Sequence, residues 1–171
     1  MNQNTSSINN DETVNGIRKA IEHRATWMSL MCLEAEKSGS DWEGIARKAV
    51  SQTGRLRGEA ILEAMGKKND MSAFAKEFLS EISKKLFEMK ITELNENKLE
   101  IEFNYCPLVS AWQKLGIDDE KIKVLCDIAM DGDRGIAGQV GLDFTLGETI
   151  AKGNRCCEVL FRKLPAYEPL S

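Results

Sequence analysis

Apolar residues recur at helical spacing through the first half of the chain and at alternating spacing in four short later stretches. Val14, Ile17, Ala20 and Ile21 share one helical face, which continues into Met28, Met31 and Cys32. Asp11 stands where a cap belongs, so a helix is predicted over residues 12–37, stopped by Ser38-Gly39-Ser40. Asp41 caps a second helix, whose inner face is expected to carry Trp42, Ile45, Ala46 and Ala49. Gly54 and Gly58, four apart, allow close backbone approach but weaken a helix, so a break is expected near residues 51–54. A third helix is predicted over about residues 71–87, where Phe74, Phe78, Ile82 and Leu86 are spaced by four.

The period then changes to two. Met89 and Ile91 alternate with polar residues, Asn95-Glu96-Asn97 reads as a turn, and Leu99, Ile101, Phe103 and Tyr105 alternate with Glu100, Glu102 and Asn104. This is a hairpin with one buried and one wet face. Pro107 ends its second strand, and a short helix follows to Gly116. Asp118 or Asp119 caps a longer helix to Val140, with an interruption or kink expected around Gly132 and Gly135. Leu142, Phe144 and Leu146, then Cys157, Val159 and Phe161, mark two further strands, with a turn at Gly153-Asn154. The order ααα-ββ-αα-ββ predicts an α+β domain, with N-terminal helices packed on a roughly four-stranded antiparallel sheet. The polar residues 1–10 are expected to form a disordered tail. Residues 11–171 are expected to form one domain, helical over 11–87 and sheet-containing over 88–165.

Composition narrows the partners. A net charge of −4 and the lack of a basic stripe argue against nucleic acid. The longest apolar runs fall far short of the roughly 20 residues that span a bilayer. The first ten residues lack the apolar core of a signal peptide, so cytoplasmic placement is expected. Five cysteines, an odd number, fit thiols in a reducing compartment better than a disulfide framework.

Candidate chemistry concentrates between Tyr105 and Cys157. Cys106 sits where a strand meets Pro107, and strand parity puts it on the wet face with Glu102 and Asn104. Cys126 shares a helix face with Ile122, Ala129 and Met130, and Asp133 lies seven residues further on the same side. Cys157 shares parity with Val159 and Phe161. Two alternatives stand open. Cys106, Cys126 and Cys157 line one pocket, where a thiolate attacks carbon or the three bind a divalent metal. Otherwise Cys126 and Cys157 are small core residues. Asp127, Asp131 and Asp133 crowd seven residues. Such crowding raises one pKa and makes an acid or base, unless the cluster is a solvated face with Arg134 paired to Asp131. His23 and Arg24 lie mid-helix beside Trp27, and His23 is the one side chain with an unperturbed pKa near neutrality. Trp112 is expected in the core or in a pocket wall.

These segments together resemble one family. They are His23-Arg24-Ala25-Thr26-Trp27, Asp41-Trp42-Glu43, Ala46-Arg47-Lys48-Ala49, the run from Tyr105-Cys106-Pro107-Leu108 through Trp112 to Gly116, Leu125-Cys126-Asp127, Asp133-Arg134-Gly135, and residues 153–161. The chain is similar to the L-2-amino-thiazoline-4-carboxylic acid hydrolases. That resemblance implies hydrolytic opening of a small cyclic amidine-like ring on the way to L-cysteine. It implies Asp127 or Asp133 as base and Cys106 as nucleophile or ligand. Arg134 or Arg24 would hold the carboxylate, with Tyr105, Trp112 and His23 completing the substrate site. The order Cys-Pro, helix cysteine, then glycine and cysteine before a strand also resembles the vinyl-4-reductase-type ligand-binding domain. That likeness implies binding of a small molecule without catalysis, with a divalent metal in one version. Either way the expected partner is a small molecule, with no nucleic acid or membrane, and the chain acts alone or as a homo-oligomer.

Overall fold

The computed structural model describes residues 4–67 and 70–164. Among these, the chain runs through α1 (Glu12–Lys37), α2 (Trp42–Ala64), α3 (Met71–Phe78), α4 (Glu81–Phe87), β1 (Met89–Leu94), β2 (Lys98–Phe103), α5 (Pro107–Lys114), α6 (Asp119–Val140), β3 (Leu142–Leu146), a 3₁₀ turn (Ile150–Lys152) and β4 (Cys157–Lys163). The strands form one antiparallel sheet in the order β1-β2-β4-β3, so the α+β prediction stands. Alternation along β2 and β4 buries Leu99, Ile101, Phe103, Cys157, Val159 and Phe161 on one face. Phe74 of α3 meets Phe161 edge-on at 4.9 Å, and Phe144 of β3 approaches the same ring at 5.3 Å. Each aromatic pair contributes about 1 kcal/mol beyond its buried area. No helix among the described residues is long and apolar enough to cross a membrane.

Three helix expectations change. The predicted third helix is two, because Leu79 leaves helical geometry and the Ser80 side chain accepts from the Ser83 N–H to start α4. Helices α2 and α6 run unbroken through their glycines. Those glycines make the helices' contact instead of interrupting them: a Cβ on Gly54 would lie 2.0 Å from the Gly132 carbonyl oxygen, and one on Gly135 would lie 2.4 Å from that of Ser51. The buried face of α2 is therefore Gly54, Gly58 and Ile61; of the residues expected inside, Trp42 and Ala46 pack half-buried against the core, whereas Ala49 is exposed and Ile45 is 60% exposed.

Residues 4–8 belong to the stretch read as a disordered tail, and they are held against the domain. Asn4 accepts from the Cys106 N–H at 2.9 Å and donates to the Cys106 carbonyl at 2.8 Å. The hydroxyls of Ser6 and Ser7 donate to Glu88 at 2.7 and 2.6 Å. Glu88 also pairs with Arg18 at 3.1 Å. Burial alone would raise its pKa. The hydrogen bonds from Ser7, Ser6, the Ile8 N–H and Arg18 overcome that and hold it at about 2. A carboxyl depressed in the folded state adds stability above its unfolded pKa and loses it as pH falls through the folded one. Glu88→Gln is therefore expected to cost about 2 kcal/mol near neutrality, with the gap from wild type closing toward about pH 2. Urea denaturation at several pH values checks this.

Candidate functional site

The packing of α1, α2 and α6 over the sheet leaves a cavity of about 340 Å³. The wall from α6 follows helical spacing: Cys126, Met130 and Asp133 fall on one side and line it together. Phe103 and Cys157 come from the buried face of the sheet, Phe78 and Phe87 from the split helices, and Trp112 from α5. Trp112 is fully buried and donates its indole N–H to the Ala25 carbonyl at 3.1 Å, which fixes the ring as wall. Arg24 of α1 and Arg57 of α2 complete the lining. An adjoining groove of about 440 Å³ shares Arg24, Arg57, Leu108 and Asp133 with the cavity and extends along Met28, Ala49 and Val50.

Cys106 lines this cavity, whereas strand parity put it on the wet face. Strand parity does not reach Cys106 because β2 ends at Phe103. Asn104 and Tyr105 then peel away from the sheet, donating their N–H groups to Glu88 and Phe87, and Cys106 becomes the N-cap residue of α5. Cys106, Cys126 and Cys157 are close enough to influence one another's ionisation. Burial pushes the Cys106 thiol up, against the pull of the Val109 and Leu108 N–H groups. Burial first, then Cys106 and Cys157, pushes Cys126 up as well. Burial and the neighbouring Cys106 raise Cys157 to about 12, while the Ile150 N–H donates to its sulfur at 3.3 Å. All three are therefore neutral thiols near pH 7. Among the described residues no three His, Cys, Asp or Glu side chains are grouped as a metal ion requires, so this donor set does not fit the divalent metal considered from sequence.

The acidic cluster divides. Arg134 donates to Asp127 at 2.7 Å and to Asp131 at 2.6 Å. Arg47, reaching across from α2, pairs with the same two carboxylates at 2.8 and 3.0 Å. Burial would raise Asp127, but the hydrogen bonds from Arg134 and Arg47 hold it below the usual carboxylate range. The Arg134–Asp131 pair is the one the solvated alternative named; Asp127, offered from sequence as a base, is paired as well, and Asp127 and Arg134 both stand outside the cavity lining. Asp133 is different. Its carboxyl faces the cavity with no hydrogen-bond partner among the described residues, and burial raises its pKa to about 7, with Arg134 only partly opposing.

The remaining sequence candidates separate in the same way. His23 is exposed, its ring 5.9 Å from that of Trp27, and does not line the cavity. Tyr105 is buried under the Arg18 guanidinium, 4.3 Å from the ring centre, also outside the lining. Arg24 and Trp112 do line it. Arg57 was missed by sequence reading; its only signal is its place between the packing glycines 54 and 58. The arginines held in ion pairs among the described residues are Arg18, Arg47, Arg134 and Arg155. Of the four that have no carboxylate partner there, Arg24, Arg55, Arg57 and Arg162, only Arg24 and Arg57 line the cavity.

The same fold occurs in the crystal structure of a trafficking protein particle complex subunit 3 from Naegleria fowleri covalently bound to palmitic acid. The TM-score is 0.53 at 15% identity, covering 82% of this chain and 93% of that one. No curated protein matches the sequence. Residues 18–161 match the model of the L-2-amino-thiazoline-4-carboxylic acid hydrolases. That match takes in every residue lining the cavity and most of the chain, and the chain belongs to the L-2-amino-thiazoline-4-carboxylic acid hydrolase family.

Proposed function

We propose that the cavity is the active site of a hydrolase acting on a small cyclic amidine-like carboxylate, of the L-2-amino-thiazoline-4-carboxylate type. The observation that carries this reading is Asp133, a half-buried, unpartnered carboxyl titrating at about 7 on the same cavity as two unpaired guanidinium groups. A cyclic amidine bearing a carboxylate presents one cationic and one anionic group. Asp133 complements the first and Arg24 with Arg57 the second. A group half ionised near neutrality suits both halves of the reaction. As carboxylate, Asp133 takes a proton from the water that attacks the carbon bonded to nitrogen and sulfur. As acid, it returns that proton to the departing heteroatom when the ring bond breaks. The raised thiol pKa values favour water over Cys106 as the attacking group, with the cysteines serving as cavity wall. Five free thiols fit the cytoplasmic placement expected from composition.

The reading is tested by incubating purified protein with L-2-amino-thiazoline-4-carboxylate and following release of cysteine or carbamoyl-cysteine by mass spectrometry. Wild type is expected to turn over. Arg24→Gln and Arg57→Gln are each expected to raise KM by roughly 10- to 100-fold with a smaller change in kcat, the scale of a charged hydrogen bond. No turnover by wild type would overturn the hydrolase reading. The mostly apolar wall of Phe78, Phe87, Phe103 and Trp112 favours one second reading, a non-catalytic small-molecule-binding domain. The fold shared with a subunit that carries covalent palmitic acid supports it too. Under it, Asp133 would donate a hydrogen bond to a retained ligand.

A further inference from the structure

The polar groups of the site gather at one end. Arg24, Arg57 and Asp133 border both the cavity and the outer groove, so they stand where the two meet. Beyond them the cavity continues to Phe87, Phe103, Trp112 and Cys157, with Ser83 as the one further polar residue in its lining. An apolar-walled space of this kind gives water few partners and is best filled by an apolar group. A bare thiazoline ring held by its amidine on Asp133 and its carboxylate on Arg24 and Arg57 has nothing to place there. About 340 Å³ is also within the range of pockets that enclose larger ligands. We infer that the substrate carries an apolar substituent which enters the inner chamber between Phe103, Trp112 and Cys157, while its charged groups stay at the mouth. This rests on the head-group pairing proposed above and extends it to a substrate class: amidine-type carboxylates substituted with an alkyl or aryl group.

The chamber walls also say where the selectivity arises. Phe87, Phe103 and Cys157 come from α4, β2 and β4, elements that carry none of the charged groups of the site. Substituent preference is therefore separable by mutation from recognition of the head group.

The test is isothermal titration of the full chain near neutral pH with 2-(alkylamino)-thiazoline-4-carboxylates bearing methyl, propyl or hexyl groups. Affinity is expected to rise about fourfold for each methylene that enters the chamber, then to level once it is full. A flat or falling series overturns the inference. Cys157→Phe, which narrows the chamber, is expected to bring the hexyl-to-methyl affinity ratio toward one. Phe87→Ala, which widens it, is expected to raise the ratio; unchanged ratios in both variants overturn the inference. Failure here is distinct from failure of the hydrolase reading. Hydrolysis of the unsubstituted ring with a flat alkyl series leaves that reading intact and removes the inference. A rising series without hydrolysis of any member does the reverse.

Discussion

Asp133→Asn is expected to lower turnover by about 10²- to 10⁴-fold while making the protein more stable above neutral pH. The two effects have one cause. Burial raises the folded-state pKa of Asp133 to about 7, well above the ordinary carboxylate value. A carboxyl raised in this way binds its proton more tightly folded than unfolded, so stability falls as pH climbs from about 4 to about 7 and is flat beyond. Asparagine keeps the shape and has no proton to lose. The variant is expected to match wild type near pH 4 and to exceed it by about 2 kcal/mol near pH 8, a figure reduced for partial contact with solvent. Urea melts at the two pH values measure this directly. A variant less stable than wild type near pH 8 would mean that the carboxylate is paired when folded, and the acid–base role would lose its support. The pH–rate profile is a separate check: with wild type, kcat/KM, which reports the free enzyme, should depend on a group titrating near 7.

Gly54→Ala is expected to destabilise the fold by about 3 kcal/mol and to weaken substrate binding as well. The added Cβ would sit 2.0 Å from the carbonyl oxygen of Gly132, and main-chain atoms cannot swing aside as a side chain can. Helices α2 and α6 must separate instead. Gly135→Ala, with its Cβ 2.4 Å from the Ser51 carbonyl oxygen, is expected to act similarly. Gly138→Ala lies on the same helix with nothing within 4 Å. It is expected to be neutral or to stabilise by up to about 1 kcal/mol through helix propensity. Since α2 carries Arg57 and α6 carries Asp133, prying the two helices apart also spreads the charged mouth of the site. KM should therefore rise with Gly54→Ala and stay put with Gly138→Ala. Denaturation midpoints and KM for the three variants decide the matter; a Gly54→Ala loss under about 1 kcal/mol would show that the helices re-space freely.

Much of the architecture was legible along the chain. Asp11, Asp41 and Asp118 cap the helices they were expected to begin, each accepting from a backbone N–H of the first turn. The alternation of Leu99, Ile101 and Phe103 gave the buried face of β2. Less was legible of the site. Parity misplaced Cys106 because it assumes that a strand continues, and here the chain leaves the sheet two residues earlier. The three aspartates looked alike in sequence. They differ because Arg47, 80 and 84 residues away on α2, reaches Asp127 and Asp131 and not Asp133. Arg57 had no motif of its own.

The sequence by itself determined most of the elements and the family, because caps, periodicity and local motifs act between residues a few positions apart. It also held the glycine spacing that lets α2 meet α6. The tertiary structure alone decided which charged groups remain free. Pairing and desolvation depend on what other elements bring within a few ångströms, and those neighbours lie far away in the chain. That is why Asp127 and Arg134 satisfy each other outside the cavity while Asp133, Arg24 and Arg57 line it with no ion-pair partner among the described residues.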